Sequence, residues 1–95
     1  MGIINKFFNK KQADPESRRK YLLAQGRITD GVIIDSEIDT TGGEIVFYLY
    51  TLNGVDFESS DFLTAEQRND RISYAPGAKV GIRYDPRNQG NSIVE

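Results

Sequence analysis

The sequence predicts a mainly β fold, a small antiparallel barrel or sandwich of five to six strands with one N-terminal helix packed on it. Three observations carry that expectation. Asn53-Gly54 separates two alternating segments, Glu44 to Leu52 and Val55 to Phe62, which is the pattern of a two-residue type I′ hairpin. Tyr74-Ala75-Pro76-Gly77 launches a run in which Val80, Ile82 and Tyr84 alternate with Lys79, Gly81 and Arg83, and Asp85-Pro86 ends it. Turn signals recur about every ten residues from Arg27 onward, the spacing of short strands in small all-β domains.

Residues 1–13 read as a basic amphipathic tail. Ile3, Ile4, Phe7 and Phe8 recur at helical spacing, and Lys6, Lys10 and Lys11 fall towards the other side. Such a segment can lie in a membrane interface, although Asn5 and Asn9 are poor helix formers and so short a helix is marginal alone. The Met-Gly start lacks the Ser or Thr at position six that myristoylation wants, since Lys6 stands there. Residues 14–95 form a single expected domain. Asp14 caps, Pro15 suits the first helical position, Glu16 favours the positive end of the dipole and Gly26 stops a helix over 15–25. Tyr21, Leu22, Leu23 and Ala24 are its apolar contacts, with Arg18, Arg19 and Lys20 on the wet side.

The β-domain spans 27–95. Ile28, Val32, Ile34 and Ile38 are read as one face of the first strand, with Thr29, Asp35, Glu37 and Asp39 on the other. Gly31 suggests a bulge or bend within it, and Thr40-Thr41-Gly42-Gly43 a return turn. The Asn-Gly hairpin then places Leu52 opposite Val55, Tyr50 opposite Phe57, Tyr48 opposite Ser59 and Val46 opposite Asp61. One side of that ribbon, with Tyr48, Tyr50, Leu52, Val55 and Phe57, is the core side. The reverse side carries Ile45, Phe47, Leu49 and Phe62 among polar residues. Two readings of it stay open: the helix covers it through Leu22 and Leu23, or it is an interaction face. Thr64 and Gln67 fit a capping box, Arg71 to Tyr74 a short strand, 78–84 a strand, and Asn91 to Glu95 a last one.

Composition narrows the chemistry. With 95 residues, no cysteine and no histidine, the chain lacks the thiolate nucleophile, the commonest general base and the commonest transition-metal ligands. Neither Asp35, Glu37 and Asp39 on a strand face nor Ser59, Ser60 and Lys79 have the backbone setting of a calcium loop or a serine–lysine pair. The expectation is no enzyme, and no catalytic, cofactor-binding or metal-binding residue. The formal net charge of −2 hides an asymmetry. Residues 1–27 hold seven bases and two acids, and residues 28–95 hold five bases and twelve acids. So acidic a β-domain opposes single-stranded nucleic-acid binding, despite Phe47, Tyr48, Tyr50, Tyr74 and Tyr84 as stacking platforms.

The motifs Gly31-Val32, Tyr48-Leu49-Tyr50, Asn53-Gly54-Val55, Tyr74-Ala75-Pro76-Gly77 and Val80-Gly81-Ile82-Arg83-Tyr84-Asp85-Pro86 resemble a widespread bacterial small β-domain family of unknown function, over about residues 27–95. The resemblance implies a compact β-domain, often tied to a membrane by flanking hydrophobic helices, and supplies no catalytic residue. This chain departs from it in showing no apolar run of spanning length and in Gln89, where a second proline is frequent. The expected function is a non-catalytic interaction or accessory module in a bacterial cytoplasm, with an unknown protein partner. The alternative is a peripheral membrane adaptor on the inner face of the membrane, using Ile3, Ile4, Lys6, Phe7, Phe8, Lys10 and Lys11 on anionic lipid. Single-stranded nucleic-acid binding is a second alternative. An open edge strand would allow a second copy to pair.

Overall fold

The computed structural model describes residues 15–95. In chain order the elements are helix α1 (Pro15–Gln25), strands β1 (Arg27–Ile38), β2 (Glu44–Leu52) and β3 (Val55–Phe62), the single-turn helix α2 (Ala65–Arg68), β4 (Lys79–Asp85) and β5 (Asn88–Val94). The five strands form one antiparallel sheet in the order β3-β2-β1-β4-β5, curled into a nearly closed barrel in which β3 meets β5. Arg71 to Tyr74 is a turn and not the strand its composition suggests. The last strand begins three residues before the expected Asn91. Asp14 and the tail lie outside the described residues.

Local chemistry explains the corners. Asn53 (φ 51°) and Gly54 (φ 81°) both take the left-handed backbone that a type I′ turn requires. The β2–β3 register follows as expected: Leu52 opposite Val55, Tyr50 opposite Phe57, Tyr48 opposite Ser59 and Val46 opposite Asp61. Asp85 Oδ1 accepts the Arg87 amide at 2.9 Å, which holds the Asp-Pro turn. Thr64 and Gln67 form the reciprocal capping box, at 2.8 and 3.1 Å.

The core lies inside the barrel: Ile33, Val46, Tyr48, Tyr50, Leu52, Leu63, Ile82 and Val94. Tyr48 and Tyr50 stack at 6.0 Å between centroids, and Tyr50 and Phe57 at 5.4 Å. Val55 sits at the hairpin tip and is exposed, so it leaves the expected core set. The largest correction concerns β1. Ile33, and not its even-numbered neighbours, is buried, while Ile28 and Ile38 are 60% and 66% exposed. The bulge lies between Ile33 and Asp35, three residues past Gly31, and it leaves Ile34 43% exposed and unpaired. Gly31 serves a different need. A Cβ there would come within 2.6 Å of Ile82 Cγ1 and 2.9 Å of the Leu49 carbonyl oxygen, so only a glycine lets the three strands close.

Side chains bridge the gap between β3 and β5. Arg18 donates to Asn91 Oδ1 at 2.8 Å and to the Ser92 carbonyl, and Arg19 donates to the Val94 carbonyl at 2.9 Å. Gln67 Nε2 donates to the same Val94 oxygen at 3.1 Å, and the Val94 amide donates to Asp61 Oδ2 at 3.1 Å. Inside, the Tyr48 hydroxyl meets Ser92 Oγ at 2.8 Å, and the Tyr50 hydroxyl donates to the Gln89 carbonyl at 2.5 Å. Arg18 and Arg19, read as solvated from sequence, thus fasten α1 to β5. Leu22 is fully buried beneath the helix, a contribution of about 1.5–3 kcal/mol, while Tyr21 and Leu23 stay exposed.

Candidate interaction face

Cross-strand partners in a sheet point to the same side, so register identifies which residues share a surface. Glu37 lies opposite Ile45 and Ile45 opposite Phe62. Asp35 lies opposite Phe47 and Phe47 opposite Ser60; Val32 lies opposite Leu49 and Leu49 opposite Glu58. The structure therefore brings Ile45, Phe47, Leu49 and Phe62 onto one outer surface, as expected. Helix α1 packs on β4 and β5 instead of here, which overturns the expected cover by Leu22 and Leu23. Ile45, Phe47 and Leu49 are half-buried by their neighbours, and Phe62 is 48% exposed with its ring beside Gly43.

Each outward-facing apolar side chain of β2 has a carboxylate directly across the sheet: Glu37 for Ile45, Asp35 for Phe47 and Glu58 for Leu49. Among the described residues the one ion pair is Arg83–Glu95 at 3.1 Å, on β4 and the residue after β5. These three carboxylates thus frame an apolar row and make no ion pair among the described residues. Beside the row runs an open groove of about 770 Å3, with Asp30, Val32, Leu49 and Lys79 in its lining.

Val32 is the residue of this surface that the sequence reading misassigned. The run Val32-Ile33-Ile34 has no alternation, so its parity could not be read before the pairing with Leu49 was known. Ser60 on β3 and Lys79 on β4 do not lie on neighbouring strands, so the sheet does not pair them. Among the described residues no cluster of three metal-ligating side chains occurs, and no helix is long and apolar enough to cross a membrane. The membrane-contact candidates Ile3, Ile4, Lys6, Phe7, Phe8, Lys10 and Lys11 lie outside the described residues.

The groups with shifted ionisation belong to the gap between β3 and β5. Burial pushes the Tyr48 hydroxyl up to about 12, against the pull of hydrogen bonds from Ser92 and Ser59. Burial also raises the Asp61 carboxyl, opposed by the Val94 amide and by Arg18 and Arg19. Both groups are held by hydrogen bonds within the barrel and neither lines the outer groove.

A barrel-like sheet of five strands, with a Pro-Gly entry into β4 and an Asp-Pro exit from it, matches a known sequence family. The family model described as "Domain of unknown function (DUF3592)" covers residues 24–95. The chain belongs to the DUF3592 family. Neither a curated protein nor a solved structure matches it. The DUF3592 match takes in all five strands and the end of α1, so the framed apolar row lies wholly within the family domain.

Proposed function

We propose that this DUF3592 domain is a non-catalytic docking module whose outer β1–β2–β3 face binds a basic amphipathic segment of a partner protein. The observation that carries the reading is the row Ile45, Phe47 and Leu49, each facing a carboxylate across the sheet and none covered by the helix. Apolar contact would supply the affinity, and Asp35, Glu37 and Glu58 would select a cationic rim and set orientation. The hydrogen-bonding margin of β5 is taken up by Arg18, Arg19, Gln67 and Asp61, which argues for docking through side chains on the face over strand addition at that edge.

The test places a photo-crosslinking amino acid at Phe62 or, as an equally apolar exposed control, at Ile72 in living cells. The reading expects an adduct of one reproducible mass from Phe62, none from Ile72, and its loss in Leu49→Lys. The purified adduct partner should then bind the domain at least tenfold more weakly in Leu49→Lys, about 1.4 kcal/mol. Equal adducts from both positions would sink it.

A further inference from the structure

The geometry points to a binding site for a small apolar α-amino acid at the end of the barrel that α2 covers. At that end β1 finishes, β2 starts, β3 finishes and β4 starts, and α2 with the turns that follow it lies across the opening. Gln67 Nε2 donates to the Val94 carbonyl at 3.1 Å and the Tyr74 hydroxyl to the Glu95 carbonyl at 3.2 Å, so both parts of this cover are tied to the end of β5. Between cover and strands lie hollows of about 530 and 180 Å3 that share Glu44, Arg68 and Arg71 in their linings. The mouth of a small barrel is a common place for a small ligand.

Register shows what is unusual there. Ser36 lies opposite Val46 of the core, and Ile38 lies opposite Glu44 two places along, so these side chains stand on the inner side of the sheet. On the same two strands that side is filled by Ile33, Val46, Tyr48 and Tyr50. Glu44 has two arginines in the same lining, yet it makes no ion pair among the described residues, and Arg71 has neither an ion pair nor a hydrogen bond there. Arg68 donates to the Gly42 carbonyl at 3.0 Å, which holds its guanidinium beside the β1–β2 turn. Charges of both signs therefore line one space without neutralising each other, and apolar walls complete it. Ile38 and Ala65 belong to the larger hollow, and Leu63, Ala75 and Pro76 to the smaller.

This lining selects its ligand. A plain anion would meet Glu44, and a plain cation would meet two guanidinium groups. A molecule with a carboxylate, an ammonium and an aliphatic side chain suits every part: the arginine forks take the carboxylate, Glu44 takes the ammonium and the walls take the side chain. The site lies on the inner side of the sheet, away from the row Ile45, Phe47 and Leu49, and is independent of the docking reading.

The experiment titrates the isotope-labelled full chain with L-leucine to millimolar concentration and reads amide shifts by NMR. The amides of Ser36, Glu44, Gln67 and Arg71 should move on one binding curve, while those of Phe47, Leu49 and Gly90 stay in place. N-acetyl-L-leucine, which lacks the ammonium, and L-leucinamide, which lacks the carboxylate, should each bind more weakly by about tenfold or more. Glu44→Gln should abolish the preference for leucine over its N-acetyl form, and Arg71→Gln should reduce the preference over the amide. The analogue series on the unaltered chain stands whether or not those variants fold. No shift with leucine overturns the inference, as does binding of inorganic phosphate as tight as that of leucine, which would mark a plain anion site. Equal affinity for all three leucine compounds also overturns it, since the charged lining would then play no part.

Discussion

Asp61 Oδ2 accepts the Val94 amide at 3.1 Å, so a side chain of β3 stands where a neighbouring strand's carbonyl would stand in a fully paired barrel. Burial raises the Asp61 carboxyl above its ordinary 3.8. With the folded value above the unfolded one, the folded state holds this proton more tightly, and the resulting stabilisation is full below the unfolded value. It is lost as pH rises through the folded value. Asp61→Asn keeps an acceptor oxygen but cannot titrate. Urea unfolding from about pH 3 to about pH 7 should show the wild type most favoured over Asp61→Asn in acid, with the difference falling towards neutrality. A difference that grows with pH would show that Arg18 and Arg19 outweigh burial.

Arg18→Met should lower stability by about 1–3 kcal/mol, because the Ser92 carbonyl and Asn91 lose their donor at a half-buried site. Amide exchange should quicken through α1 and leave the β2–β3 hairpin unchanged. Leu22→Ala should cost more, about 2–5 kcal/mol, with the same pattern of exchange.

Gly31→Ala puts a methyl against Ile82 and the Leu49 carbonyl. Overpacking of this kind costs about 1–3 kcal/mol, read as a fall in the urea midpoint. Ile82→Val in the same chain should recover part of the loss, since it removes Cδ1, which the new methyl would meet at 3.2 Å, and leaves the shortened side chain freer to turn away. No recovery would mean that the backbone contact with Leu49 sets the cost.

Gly54→Ala forces an L side chain into the left-handed region and should cost about 1–2 kcal/mol. Asn53→Gly at the neighbouring position should be nearly neutral, within about 0.5 kcal/mol, because asparagine already tolerates that backbone. Equal losses at both would contradict the turn type.

Phe62→Lys should change unfolding free energy by no more than about 0.5 kcal/mol, since the ring is half exposed and the new ammonium can stay in solvent. The same variant should lose partner binding. A large fall in stability would make Phe62 a packing residue instead of a docking one.

Legibility from sequence followed the range of the interactions. The hairpin was readable because two turn residues set a register that propagates along the whole ribbon, and that register also placed Ile45, Phe47, Leu49 and Phe62 together. The capping box and the Asp-Pro turn are equally local. In β1 the three consecutive branched residues Val32, Ile33 and Ile34 hide which one turns inward, and a bulge just beyond Ile33 shifts the alternation. The seat of α1 depends on Arg18 and Arg19 meeting β5 carbonyls 74 and 75 residues away, a contact that no local pattern announces. An arginine at a helix surface looks solvated until the strand it grips is known.

The fastening of α1 to β5 also orders events during translation. The helix leaves the ribosome before any strand, yet its anchoring carbonyls belong to the last strand of the domain to emerge. Until β5 is made, the two arginines have no acceptors and α1 has only β4 to pack on, so its seat stays incomplete while the Asn-Gly hairpin forms behind it. Seating of α1 is thus a late, long-range event, and a stall in synthesis before residue 88 would leave the helix without its anchoring carbonyls.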